Sequence, residues 1–244
     1  MTLKIAVLSF DVEQDCPPYL SSTRGMERGL PRILDLLAEE RVKATFFFTA
    51  EMAQLFPRLA RRVVDEGHEL GSHGYMHERL DKLSLFEASY LLEKATAVLS
   101  RFGMVRSFRA PNLQLPDELL PVLEKLGYSV DSSLARYKPP FPRVVRRVGR
   151  IVRIPVSVTS SVLRLPWLLQ QFIHKRLTPP LVYFAHPWEY VDMRNELVRF
   201  DCRFNTGDAA LELLRKLIVL LRREGYTIVT LCEAARLLGY EVNC

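Results

Sequence analysis

Cysteine is scarce and scattered in this chain: Cys16, Cys202, Cys232 and Cys244 are its four, and no two of them form a CxxC pair. A zinc ribbon or a dense disulfide framework is therefore not expected, and a reducing, cytoplasmic compartment is. Long apolar runs are missing too. The stretch LELLRKLIVLL is interrupted by charge and too short to span a bilayer. Before the first apolar run, KIAVLSF, there is no basic segment, apolar core and small-residue cleavage site, so no secretory leader is expected. Internal repeats and low-complexity linkers are also absent, so residues 1–244 read as one domain.

What is present is an ordinary globular composition, 48% hydrophobic and 25% charged. The net charge of +6 is spread along the chain, with one basic cluster between Arg136 and Arg153, so nucleic acid is not the expected partner. Short apolar runs alternate with amphipathic stretches. KIAVLSF, KATFFFT, HELGSH, VRSFRAP, YSVDSSL, LVYFAHP and YTIVTL read as strands. GMERGLPRILDLLAEERV, EMAQLFPRLARRVVDEG, LSLFEASYLLEKATAVLSRFG, PDELLPVLEKLG and DAALELLRKLIVLLRREG read as helices. A Pro- and Arg-rich stretch followed by a packed amphipathic helix, SVLRLPWLLQQFIHKR, interrupts the rhythm. Repeated strand-helix units predict an α/β protein with a parallel sheet or barrel, whose chemistry collects at the carboxyl ends of the strands.

Polar side chains fall at those ends. Asp11, Glu13 and Asp15 alternate after the first apolar run, so an extended chain would point them to one side. Their mutual repulsion calls for something positive there. His73 and His77, four apart beside Gly71 and Gly74, could share one face of a helical turn and make half of a metal site. Two imidazoles and one carboxylate leave positions open for water and substrate, the catalytic rather than the structural pattern, while a second carboxylate is free to act as base. Arg109, in FRAP, is a permanent cation suited to holding a carboxylate, though an ordinary salt bridge would need no more. Asp131 could orient a histidine or cap a turn. His186 follows five apolar residues, is stopped by Pro187, and looks like a general acid, though a satisfied core histidine would fit the same setting.

Taken in order, SFDVEQD, SHGYMHERL, FRAP, VDSS and FAHPWEY resemble the motifs of the NodB-like polysaccharide deacetylases, carbohydrate esterase family four. The likeness is greatest to the subgroup with Asp-Val-Glu and His-Pro-Trp-Glu. The resemblance implies an irregular (β/α) barrel of about seven strands and a divalent metal, zinc first, with cobalt, manganese or nickel as alternatives. It implies removal of N-acetyl groups from a sugar or polysaccharide. In that scheme Asp11 is the base, Arg109 holds its carboxylate, His73 and His77 bind metal, and Asp131 tunes the acid His186. Asn112 supplies a main-chain amide to the oxyanion, and Trp188 is a second substrate contact. Val12 stands where the commoner pattern has a metal-binding aspartate, and strand alternation points to Glu13 instead. The rival readings are a cyclic amide or imide hydrolase on the same scaffold and a catalytically silent glycan-binding protein. The basic and apolar stretch after residue 136 reads first as a solvated basic surface followed by the packed helix, with peripheral contact to a membrane or an anionic glycan as the alternative.

Overall fold

The computed structural model describes residues 3–139, 141 and 143–244; Pro140 and Pro142, in the Pro- and Arg-rich stretch, lie outside them. The strands are β1 (Ile5–Val12), β2 (Thr45–Phe48), β3 (Glu69–Ser72), β4 (Ser107–Phe108), β5 (Val130–Asp131), β6 (Arg146–Val148), β7 (Ile151–Arg153), β8 (Leu181–Ala185) and β9 (Thr227–Val229). They form one sheet in the order β6-β7-β5-β4-β3-β2-β1-β8, with β9 also paired to β1. From β7 to β8 all seven strands run parallel, which is the expected count. β6 is an antiparallel addition, and β9 takes the start of β1 at Ile5 to Val7, while β2 pairs with its end. Between β7 and β8 the ring is bridged by Ser157: its N–H donates to Val182 O at 2.8 Å and its Oγ accepts from Val182 N at 2.9 Å.

Every residue of β1 is buried, and its two faces differ. Ala6, Leu8, Phe10 and Val12 pack outward with the helices, while Ile5 and Val7 pack into a second core inside the ring with Phe47, Val130, Val152 and Val182. Along that inner face the side chains change from apolar, Ile5 and Val7, to polar, Ser9 and Asp11. An apolar plug thus fills the base of the ring and the polar groups gather at its mouth.

Nine α-helices surround the sheet: α1 (Leu30–Glu39), α2 (Ala50–Leu55), α3 (Pro57–Asp65), α4 (Leu85–Leu99), α5 (Leu120–Lys125), α6 (Trp167–His174), α7 (Phe200–Arg203), α8 (Asp208–Arg223) and α9 (Leu231–Leu237) among the described residues. In α1, Leu30, Ile33, Leu34 and Leu37 recur at helical spacing and are buried against the sheet. Ser84 and Glu87 close a reciprocal capping box at the start of α4. The single helix expected over EMAQLFPRLARRVVDEG is two, because Pro57 drives Phe56 out of the helical region (φ −125°, ψ 58°). The expected packing of the WLLQQFIH helix is partial: α6 buries Gln170 and His174 but leaves Leu168 80% exposed, with Leu169 and Phe172 also exposed.

Two of the scattered cysteines meet, Cys232 on α9 bonding to Cys244 twelve residues later, a crosslink that no CxxC spacing announces. Cys16 and Cys202 remain thiols. No helix among the described residues is long and apolar enough to cross a membrane.

Candidate active site

Strand alternation carries Ser9, Asp11 and Glu13 to the inner face at the mouth of the ring, where they meet groups from β3, β4 and β8. Asp15 does not follow. The chain turns after Glu13, and the fully buried Asp15 carboxylate accepts from Gly25 N (2.8 Å), Arg24 N (2.9 Å) and Ser22 Oγ (2.7 Å). The third acid of the motif therefore anchors the loop that leads into α1. Gly25 and Gly29 complete that anchor by close approach: a Cβ on Gly29 would lie 1.9 Å from Pro187 O, and one on Gly25 2.6 Å from Trp188 N. Only glycine lets this segment press on the backbone that follows His186.

Glu13 Oε2 lies 2.8 Å from His77 Nε2 and 3.4 Å from His73 Nε2. The two imidazoles do not share a helical turn, as their spacing had suggested. His73 to His77 is an irregular loop with Gly74 and His77 in the left-handed region, at φ +82° and +66°. His73 Nδ1 is bonded to Arg109 O at 2.7 Å, which leaves Nε2 as the nitrogen facing Glu13. The three groups offer ligand atoms within 4.8 Å of one another. A buried carboxylate oxygen facing two imidazole nitrogens at these distances is a donor set that fits a divalent cation.

Arg109, fully buried, holds the neighbouring carboxylate: its Nη1 donates to Asp11 Oδ1 at 2.7 Å and to Ser9 Oγ at 2.9 Å. Ser132 Oγ accepts from Nη2 at 3.0 Å, and the guanidinium carbon sits 4.3 Å from the centre of the Phe47 ring. Breaking such a buried pair by removing one partner costs about 3–5 kcal/mol, so the contact fixes Asp11 in place.

His186 lies across the mouth, its Nε2 3.8 Å from Glu13 Oε1. Its expected partner, Asp131, is elsewhere. Asp131 Oδ2 accepts from Arg153 Nε at 2.7 Å, and Oδ1 accepts from Ser133, whose Oγ in turn receives Ala110 N at 2.8 Å. Asp131 therefore braces the turn after Arg109. The carboxylate that holds the histidine is Glu189, three residues on, with Oε1 2.7 Å from His186 Nδ1 and Oε2 2.6 Å from Arg164 Nε. The HPWE segment contains that signal, since one short turn brings residues three apart together. Arg164 had no sequence signal. Trp188 stacks on His186, ring centres 5.0 Å apart and planes 16° apart, and its Nε1 is a buried donor with no partner among the described residues.

Burial works against charge on these groups, and their mutual attraction overrides it. Glu13 is held well below the usual carboxylate range by His186, His73 and His77. The Glu13 and Glu189 carboxylates raise His186 to about 9. Arg164 and His186 lower Glu189, and Glu13 raises His77. Asp11, Glu13, His73, His77, Asn112 and His186 line one cavity of about 220 Å³. Asn112 reaches it in the left-handed conformation, φ +57°, which asparagine tolerates.

The ring and its mouth define a class: a (β/α) scaffold whose mouth gathers two histidines and a carboxylate at metal-ligand spacing, between a paired aspartate and a half-buried histidine. Residues 2–130 match the family model described as polysaccharide deacetylase, and the chain belongs to that family. Over 73 residues it is 41% identical to a peptidoglycan-N-acetylglucosamine deacetylase of Bacillus cereus, which covers 30% of this chain and 26% of that one. The match thus spans about a quarter of that relative's length. Its fold resembles a carbohydrate-esterase-four pseudoenzyme from Bacillus anthracis (TM-score 0.67, 21% identity, 96% of this chain and 66% of that one). It also resembles the corresponding domain of a multidomain xylanase from the hindgut metagenome of Trinervitermes trinervoides (TM-score 0.63, 18% identity, 99% of this chain and 94% of that one).

Proposed function

We propose that this chain hydrolyses the acetamide of an N-acetylated glycan, releasing acetate and leaving a free amine on the sugar. The observation that carries the reading is the convergence of buried Glu13 Oε2 with His73 and His77 Nε2, flanked by Asp11 and His186. A divalent ion at Glu13, His73 and His77, zinc first, would polarise the amide carbonyl and ease deprotonation of water. Asp11, fixed by Arg109, takes the proton of the attacking water as its oxygen bonds to the carbonyl carbon. His186, charged and oriented by Glu189, gives its Nε2 proton to the nitrogen as the C–N bond breaks. Asn112 lines the same cavity, and its main-chain amide would donate to the developing oxyanion.

The test is acetate release from N-acetylglucosamine oligomers by chelated protein and by the same protein restored with zinc, cobalt, manganese or nickel. Activity is expected only on restoration, and Asp11→Asn should abolish it while the circular-dichroism spectrum stays unchanged. Full turnover by metal-free protein, or by the Asp11→Asn variant, would overturn the proposal.

A further inference from the structure

A second cavity, of about 480 Å³, opens beside the first and shares Leu113 and Lys138 with it. Three of its lining residues are cations that make no carboxylate contact among the described residues: Lys138, Arg143 and Arg146. Among the described residues Lys138 Nζ reaches Asn112 O, at 3.4 Å, Arg143 Nη2 reaches Pro139 O, at 2.5 Å, and the buried Arg143 Nε has no partner. The one acid in the wall, Asp117, is already paired with Arg153 at 2.6 Å. Some arginines elsewhere are met by acids, as Arg62 is by Asp35, Arg194 by Asp192 and Arg215 by Glu39, whereas the three cations here stand together in one cavity wall. Burial and the nearby Arg143 and Arg79 depress the Lys138 pKa, so the cations crowd one another.

We propose that this second cavity is an anion-accepting subsite, which selects a glycan carrying a carboxylate or phosphate next to the acetamido sugar that reacts. The inference rests on the deacetylase reading and names its substrate class. Lys138 stands at the boundary of both cavities, so a chain reaching from Asp11 and His186 past Asn112 brings its next substituent among the three cations. Guanidinium groups suit this role because they hold carboxylate and phosphate oxygens through paired N–H donors.

Calorimetry on zinc-loaded protein can test this with three N-acetylglucosamine oligomers of equal length: neutral, carboxylate-bearing and phosphate-bearing. Arg143→Gln/Arg146→Gln is the variant, since neither residue lines the catalytic cavity. At low salt one or both acidic oligomers should bind about tenfold tighter than the neutral one. The two acidic arms tell carboxylate from phosphate selectivity. The variant should lose that preference with neutral-oligomer binding unchanged, and high salt should erase it. Equal binding of all three oligomers by the unaltered protein, or an undiminished preference in the variant, would overturn the proposal. Acetate release from the neutral oligomer, read in the same samples, reports separately on the hydrolase reading. Its absence leaves the binding comparison valid.

Discussion

Glu189→Gln is the substitution that best isolates how His186 works. The carboxylate serves two partners at once, His186 Nδ1 at 2.7 Å and Arg164 Nε at 2.6 Å, and a carboxamide of nearly the same volume has one oxygen to share between them. Arg164 cannot give up its proton, so the oxygen turns to it and the amide NH₂ faces Nδ1. An NH₂ donor there requires Nδ1 to be unprotonated, which disfavours the imidazolium. The lost bond to a charged group is worth about 1.5–3 kcal/mol. At 1.36 kcal/mol per pKa unit this is a fall of about 1–2 units in the His186 pKa, which Glu189 helps to hold above the ordinary imidazole value.

Because His186 must be protonated to act, activity is lost as pH rises through its pKa, so the alkaline limb of the profile should move down by that amount. General acid catalysis contributes about 10²–10⁴ in rate, so kcat should fall about 10²-fold or more. KM should change little, since Glu189 is buried behind the histidine. The assay is acetate release against pH with saturating zinc, with Asp131→Asn beside it. Asp131 touches Arg153 and Ser133 and should leave the alkaline limb in place. A Glu189→Gln kcat within about threefold of the unaltered protein would refute the reasoning. So would an Asp131→Asn profile displaced as far as that of Glu189→Gln.

Three further outcomes follow from the same geometry. Glu13→Ala should weaken zinc binding by about 10²-fold or more in equilibrium dialysis, whereas Asp11→Asn keeps its zinc; equal loss in both would reverse the assignment of ligand and base. Gly29→Ala places a Cβ against Pro187 O and should cost about 1–3 kcal/mol in urea unfolding, with kcat lowered because Pro187 follows His186; an unchanged midpoint would show that the segment yields freely. His68 and His174 are each lowered to about 4, by burial above all. The unfolded chain then binds more protons between pH 6.5 and 4, so stability falls as pH drops through that window. His174→Gln should flatten the slope there by up to about 1.4 kcal/mol per pH unit, and an unaltered slope would show that His174 charges freely in the folded state.

The local chemistry of the mouth was legible in the chain. Period-two alternation is a property of an extended backbone, so it placed Asp11 and Glu13 on one face, with Glu13 rather than Val12 turned towards the histidines. The same alternation failed at Asp15 because the strand ends, and three donors from residues 22 to 25 claim the carboxylate. His73 and His77 meet Glu13 through a left-handed loop that helical spacing does not describe.

Residue type and order determined which groups stand at strand ends, because strand-helix alternation sends the strands it links in one direction and their polar termini to one mouth. Tertiary structure decided who faces whom. Asp131 lost His186 to Glu189 because β5 lies beside β4 and β7, where Arg153 is within reach, while a single turn after β8 returns Glu189 to the histidine. Arg164 and Gly29 enter the site from segments 25 and 158 residues from their partners Glu189 and Pro187. Contacts at such separation depend on how the closed ring packs, and no local periodicity carries that information.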